Sequence, residues 1–383
     1  MLNKTEPQSR PDRNLRAERR LWSDSDHNTL SLGCLPCPDR HLCGGRYTRA
    51  ALYDCLSAFC CGQPETCDSV CRRNPGAFAA RVREVGGFAL DNVPVAPALD
   101  APVLPPVVPI LFHGKRRQLP FRAARAVCLS LYQVIRRHDG TPRYESKEAL
   151  AAAFGVATGM PLILSGTARD RPLERWWALG ADRRAAIRAL RALGIALVTT
   201  PNFSLFTDQP RTDDLHAMKR IAITHEEFLS EGMPAALHVN ARTDRDWTRW
   251  TDYIRQREEI AHVAFEFATG TGWADRIAWQ AEHLGRLATK IDRPLHLILR
   301  AGVAVLPQLR SAFAAVTFVD TSTFLKTVKR QRATWTPGHR LTWRPSPTPS
   351  DAPLDALLTA NWQIVEAALD LAAPLHGRIG AAG

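Results

Sequence analysis

The chain has 383 residues, which is enough for one large domain and a smaller module. Hydrophobic residues make up 45% and charged residues 23%, a globular balance that excludes a chain disordered throughout. Lysine and arginine outnumber aspartate and glutamate by 50 to 38, and the net charge of +12 favours a polyanionic partner, here predicted to be nucleic acid and most simply DNA. Residues 1–30 lack the apolar core of a signal peptide, and no apolar run is long enough for a membrane span. These features predict a cytoplasmic protein without a membrane partner.

The N-terminal third divides into an arm, a cysteine-rich module and a linker. Residues 1–30 are polar and rich in arginine, which predicts a flexible basic arm. Residues 31–90 hold eight of the nine cysteines, with the spacing C-x2-C-x5-C-x11-C-x4-C-C-x5-C-x3-C. Clustered thiolates in a reducing compartment predict metal ligands rather than disulfides. The predicted ligands are Cys34, Cys37, Cys43, Cys55, Cys60, Cys61, Cys67 and Cys71.

The metal predicted for this module is an iron–sulfur cluster. Cys34, Cys37 and Cys43 lie among prolines and glycines, as cluster ligands often do, and one of the later cysteines would complete the set of four. Zinc is the alternative, although only Cys34 and Cys37 form a C-x2-C pair. His41 is a further candidate ligand, and eight cysteines permit two sites or one site with spare thiols. The predicted role is to stabilise the fold of a small module.

The region from 107 to 333 has the pattern of an α/β domain, after a proline-rich linker over 91–106. Short apolar runs at 107–112, 160–164, 195–198, 235–239, 262–267, 295–299 and 316–319 predict seven strands. Helical patterns lie between them, including 122–137 and 171–193, a helix at 214–231 that ends at Gly232, and 321–332. The alternation predicts a TIM-type barrel, complete or with one irregular strand, and a doubly wound open sheet is the alternative.

Residues 334–383 predict a proline-rich link followed by one helix over 354–372. The end of the barrel region and the start of this link are basic. Phosphate contact and an ordinary solvated surface are both compatible with this composition. The basic residues are Lys329, Arg330, Arg332, Arg340 and Arg344.

Polar side chains follow the predicted strands, at the edge where α/β barrels place their chemistry. The loop after the strand at 195–198 is the densest in such groups. Across the barrel the residues expected at this edge are Lys115, Thr167, Asn202, Asp208, Asn240, Arg242, Asp244, Glu266, Arg300 and Asp320.

Asp208 and Glu266 are the predicted catalytic carboxylates. A carboxylate pair suits cleavage of an N- or O-glycosidic bond, because positive charge develops on the sugar. The amides of Asn202 and Asn240 are predicted to read a base edge. The alternative for Glu266 is a buried carboxylate paired with Arg242 or Arg300, and His238 is predicted to be structural. Predicted phosphate-binding residues are Lys115, Arg211, Arg242 and Arg300.

The block TTPNFSLFTDQPR, followed by a helix and the strands PAALHVN and VAFEFATGTG, resembles a family of uncharacterised domains of phages and mobile elements. Members carry a P-[DN]-F-S-L-[YF]-x-D-x-P motif at a strand end, and the resemblance covers residues 195–300. It implies a barrel-like domain and suggests an antiviral or mobile-element setting. More loosely, the strand-end aspartate is similar to the barrel of tRNA-guanine transglycosylases and their DNA-modifying relatives. The Asp-Ser-Gly-Gly-Phe motif and the C-terminal zinc knuckle of those enzymes are missing from this sequence.

Two hypotheses from different classes follow. The first is an enzyme that cleaves or exchanges a base at the N-glycosidic bond of DNA. The second is a non-catalytic nucleic-acid-binding protein whose small module is stabilised by metal. Activity that depends on Asp208 would distinguish them.

Overall fold

The computed structural model describes residues 29–30, 47–48, 84–100, 102–205, 211–267, 274–349 and 351–371. The chain divides into two compact units, of which the first comprises Met1–Pro94, Phe203–Ile223 and Asn240–Tyr253. In this unit, strands β1 (Thr29–Leu30) and β2 (Tyr47–Thr48) pair in antiparallel fashion. The eight cysteines predicted to bind metal, and Asp208, lie outside the described residues.

The second unit comprises Val95–Asn202, Thr224–Val239 and Ile254–Gly383, and contains an eight-stranded parallel sheet. Neighbouring strands pair in chain order from β4 to β10, and β10 pairs with β3. A parallel bridge between Ile110 and Cys128 joins β3 to β4 and nearly closes the ring. The predicted TIM-type barrel is therefore confirmed against the open-sheet alternative. The strands are β3 (Val107–Pro109), β4 (Val127–Ser130), β5 (Leu162–Ser165), β6 (Leu197–Thr199), β7 (Ala235–His238), β8 (His262–Glu266), β9 (His296–Arg300) and β10 (Ala315–Asp320).

Helices connect most of these strands, whereas β3 and β4 are joined by a helix-free loop. Three of the helices are short, and a 3₁₀ turn lies at Val303–Val305; the short helices are Leu131–Val134, Leu306–Ala312 and Ser322–Val328. Among the helices that the structure describes, none is both long and apolar enough to cross a membrane. The helices are α1 (Leu131–Val134), α2 (Lys147–Phe154), α3 (Asp170–Ala178), α4 (Asp182–Ala192), α5 (Arg211–Ser230), α6 (Asp244–Arg255), α7 (Ala274–Lys290), α8 (Leu306–Ala312), α9 (Ser322–Val328) and α10 (Asp355–Leu371).

The eighth barrel strand, β4, lies where a helix was predicted over 122–137, and that prediction was wrong. Val127, Cys128 and Leu129 are fully buried, and β4 pairs in parallel with β5 from Val127 to Ser130. A strand buried on both faces is apolar throughout, so it shows no alternation that separates it from a helix. Pairing with the neighbouring barrel strands, rather than local periodicity, determines that this segment is a strand.

Two predicted helices are shorter than their patterns suggested. The predicted helix over 171–193 is split into α3 and α4 at Gly180, which adopts a left-handed φ of 55° that glycine tolerates. The predicted helix over 321–332 ends at Val328, because β11 (Gln331–Thr334) and β12 (Thr342–Pro345) form an antiparallel hairpin. By contrast, α5 ends before Gly232 at φ 73°, as the sequence predicted.

The barrel interior is filled by apolar side chains from every strand. Since side chains alternate along a strand, one residue of each pair of neighbours points into the ring. The inner cluster is almost inaccessible to solvent, and it comprises Leu104, Val108, Ile110, Ala126, Cys128, Ile163, Leu197, Ala236, Ala264, Ile298 and Val319. These positions identify which strand-end residues face the interior.

Candidate functional site

The carboxyl ends of five neighbouring strands, β5 to β9, carry a layer of polar side chains. Each lies two residues after an inward-facing apolar residue of the core, so alternation directs it to the barrel interior. Active sites of α/β barrels lie at this end of the strands. We call this set the mouth layer; its members are Ser165, Thr199, His238, Glu266 and Arg300.

Glu266 and Arg300 form an ion pair within the mouth layer. Their strands are hydrogen-bonded neighbours that place the two residues in register, and Arg300 Nε lies 3.2 Å from Glu266 Oε2. The Glu266 side chain is only 1% exposed, whereas that of Arg300 is 24% exposed. A guanidinium has five N–H donors, so this one carboxylate oxygen does not exhaust the donors of Arg300. The pair therefore combines a desolvated carboxylate with a partly exposed cation.

His238 ends β7, next to the strand of Glu266. Its side chain is buried, and neither ring nitrogen makes a well-formed hydrogen bond within the described part of the chain. Burial and the charge of Arg300 lower the pKa of His238 to about 3, although the Thr200 backbone opposes the shift. The ring is therefore neutral near pH 7, with one donor and one acceptor nitrogen.

The sequence predicted a structural role for His238, and this role stays a prediction. Most buried polar groups have a hydrogen-bond partner, so a buried ring with no well-formed bond among the described residues is a candidate for contact with a ligand. The available signal was position, because His238 is a polar residue at the end of an apolar strand, one strand before Glu266.

Two hydroxyl groups at the end of β6, on Thr199 and Thr200, hold neighbouring strands together. The Gly166 backbone N–H donates to Thr199 Oγ1 at 2.9 Å, and the His238 N–H donates to Thr200 Oγ1 at 2.9 Å. A Cβ on Gly166 would lie 2.3 Å from the Thr199 carbonyl oxygen, so this close approach of β5 and β6 requires glycine. These threonines, which made the loop conspicuous in the sequence, align the strands of the mouth layer.

Asn240 and Arg242 make local contacts inside the first unit. Asn240 Nδ2 donates to the Phe203 carbonyl at 3.0 Å, and Trp250 Nε1 donates to the Asn240 carbonyl at 2.9 Å. Arg242 Nε donates to the Leu205 carbonyl at 2.8 Å, and burial lowers the pKa of Arg242. These bonds hold residues 203–205 in place. The predicted roles of both side chains toward a substrate stay predictions.

The remaining predicted residues have diverse positions. Asn202 is buried, and its N–H donates to the Gly166 carbonyl at 3.3 Å. Lys115 is exposed in the loop after β3. The side chain of Arg211 is outside the described part of the structure, as is Asp208. Asp320 caps α9, because its carboxylate accepts the N–H groups of Ser322 and Thr323 at 2.9 Å each.

The opposite, amino-terminal end of the barrel holds a second polar layer. The rings of His262 and His296 lie 4.9 Å apart, and His296 Nε2 is 3.0 Å from Thr317 Oγ1. Thr317 Oγ1 donates to the Pro105 carbonyl at 2.9 Å. Polar groups at this end of a barrel serve stability rather than chemistry.

The fold and the mouth layer define a parallel α/β barrel. At its mouth lie a buried carboxylate, which is paired with a partly exposed guanidinium, and a neutral histidine. Comparison of the chain with models of protein families finds no match, and comparison with curated proteins finds none either.

In the part of the chain that the structure describes, no three histidine, cysteine, aspartate or glutamate side chains are grouped so that they could hold a metal ion.

Proposed function

We propose that this protein releases or exchanges a base at the N-glycosidic bond of DNA, with the barrel mouth as its active site. The observation that carries the proposal is the Glu266–Arg300 pair, flanked by His238 on the next strand. Cleavage of an N-glycosidic bond creates positive charge on the sugar and requires a carboxylate close to it. The net charge of +12 supports an anionic substrate.

Each residue of the trio has a distinct task in this proposal. Glu266 stabilises the cationic sugar or activates the attacking water, a role that low exposure strengthens because the local dielectric is low. Arg300 binds a phosphate that flanks the target nucleotide. Neutral His238 donates to and accepts from the edge of a flipped base, which supplies hydrogen bonds that its ring does not make within the described residues.

A base-release assay tests this function directly. We expect the purified full chain to produce abasic sites in a labelled DNA duplex, detected as strand cleavage after alkali treatment. Substrates should include plain DNA and duplexes with modified bases, because the base itself is not specified by the residues above. Failure to release a base from any of these duplexes, by a protein that binds them, would favour the non-catalytic alternative.

The metal of the cysteine module remains part of the proposal. Cys34, Cys37 and Cys43, with one of Cys55, Cys60, Cys61, Cys67 and Cys71, are the proposed ligands of an iron–sulfur cluster that stabilises residues 31–90. We expect anaerobically purified protein to be brown and to contain iron and sulfide. Colourless protein with stoichiometric zinc would replace the cluster by zinc and leave the stabilising role intact.

A further inference from the structure

The segment between the end of β10 and the start of α10 is rich in positive charge. Residues 321–350 include six lysines and arginines and no aspartate or glutamate, so they carry half of the net charge of +12. This segment contains α9 and the β11–β12 hairpin. Its basic residues are Lys326, Lys329, Arg330, Arg332, Arg340 and Arg344.

The arginine-rich helix α4, also in the second unit, is neutralised by nearby carboxylates. On α4, Arg183 pairs with Glu227 at 2.8 Å, and Arg184 pairs with Glu226 at 3.0 Å. The helix α4 therefore adds little positive potential to the surface. The hairpin, which has no carboxylate of its own, differs from α4 in this respect.

Arg332 and Arg344 are directly opposite each other on the hairpin. They are register partners of the antiparallel pair, and both side chains are exposed. Neither guanidinium has a hydrogen bond or an ion pair within the described residues. Like charges on facing residues destabilise a β-ribbon, and an anion that binds between them would remove this cost.

The two arginines share their face of the ribbon with a pair of threonines. Thr334 and Thr342 are also register partners, and their hydroxyl oxygens are 2.7 Å apart. The other face is the packed one, because Ala333 is fully buried and its N–H donates to Asn361 Oδ1 at 2.8 Å. The exposed face of the hairpin thus consists of an arginine pair and a threonine pair on a rigid support.

We propose that the exposed face of the β11–β12 hairpin is a docking surface for duplex DNA. The arginine pair would bind phosphates, and the threonine pair would contact the groove. A two-stranded ribbon fits the major groove of B-form DNA, whereas the major groove of an RNA duplex is too deep and narrow for side-chain access. The partner, DNA, is the same as in the proposed function. The hairpin binds it, however, and takes no part in the cleavage of the N-glycosidic bond.

Salt-dependent binding of a short fluorescent DNA duplex tests this surface. The double variant Arg332→Gln/Arg344→Gln should weaken binding roughly tenfold or more, and it should reduce the log–log salt slope by about 2, since each phosphate contact contributes nearly one. The control Arg171→Gln/Lys290→Gln removes the same charge from exposed positions outside the hairpin and should bind like the wild type.

A charge reversal separates binding from folding. In the Arg332→Glu variant, a negative charge faces Arg344. The midpoint of thermal unfolding should therefore stay the same or rise, while the affinity for DNA falls. Wild-type affinity in the double variant would overturn the proposal. Tighter binding of the wild type to single-stranded DNA, an RNA duplex or anionic vesicles than to duplex DNA would also overturn it. The base-release assay tests a different claim. If the protein binds DNA through the hairpin but releases no base, the proposed function is refuted and the docking surface is not.

Discussion

Replacing Glu266 with glutamine is expected to lower the rate of base release by roughly 10²- to 10⁴-fold, the usual contribution of an acid–base group. Glutamine keeps the shape of the side chain but loses its charge, so it neither stabilises a cationic sugar nor activates water. Affinity for DNA should change little, because Arg300 and the exposed basic residues remain. The measurement is single-turnover formation of abasic sites with saturating enzyme.

A matched control for this variant lies outside the ring of barrel strands. Glu226 on α5 is also a buried carboxylate paired with an arginine, and Glu226→Gln should leave base release unchanged. Asp208→Asn belongs in the same experiment, because Asp208 was the leading catalytic carboxylate predicted from the sequence. If Glu266→Gln is fully active and Asp208→Asn is inactive, the catalytic role moves to Asp208.

Acidification is expected to destabilise the protein strongly between about pH 6.5 and pH 4. Burial, the largest cause in each case, lowers the pKa of His225 to about 4, of His238 to about 3 and of His296 to about 4. An unfolded histidine binds a proton near pH 6.5, whereas these folded histidines stay neutral until the pH falls further. The unfolded state therefore takes up more protons as the pH falls, and the free energy of unfolding decreases.

The size of this effect is large for a protein of ordinary stability. Lowering a histidine pKa from 6.5 to about 4 or about 3 corresponds to about 3–5 kcal/mol for each histidine, against a typical total of about 5–15 kcal/mol. Urea midpoints measured at several pH values would show the decrease directly. His225→Gln should flatten the dependence, because His225 is buried beside Arg257 and His262 and binds no proton until about pH 4.

A second histidine provides the control for the acid experiment. His339 is exposed at the tip of the hairpin, so His339→Gln removes an imidazole without altering the barrel. The pH dependence of this variant should match that of the wild type. Equal stability of the wild type at pH 7 and pH 4.5 would contradict the lowered pKa values of these three histidines.

Local sequence signals were sufficient for seven of the eight barrel strands, because short β-branched and apolar runs between helical patterns have few other structural solutions. They also predicted the end of α5 at Gly232, where a left-handed residue follows the helix. Glu266 and Arg300 were placed at successive strand ends for the same reason. Neighbouring parallel strands bring their carboxyl ends together, so the proximity of Glu266 and Arg300 followed from the order of the strands in the chain.

Other features required the tertiary structure. The strand β4 is apolar on both faces, and only its pairing with β5 and its bridge to Ile110 distinguish it from a helix. Asp320 was expected at the barrel mouth with the other strand-end groups, whereas its carboxylate caps α9. Local composition does not reveal which backbone N–H groups will need an acceptor.

The pairing of Arg332 with Arg344 also separates what the sequence determined from what required the tertiary structure. The sequence by itself determined a basic segment, a parallel barrel and polar strand ends, since these follow from composition and from hydrophobic spacing. Only the tertiary structure decided the register that sets two arginines opposite each other. It also decided the burial of the His238 ring, which makes no well-formed hydrogen bond with the residues that the structure describes. Register and burial depend on contacts between residues far apart in the chain, and no local pattern encodes such contacts.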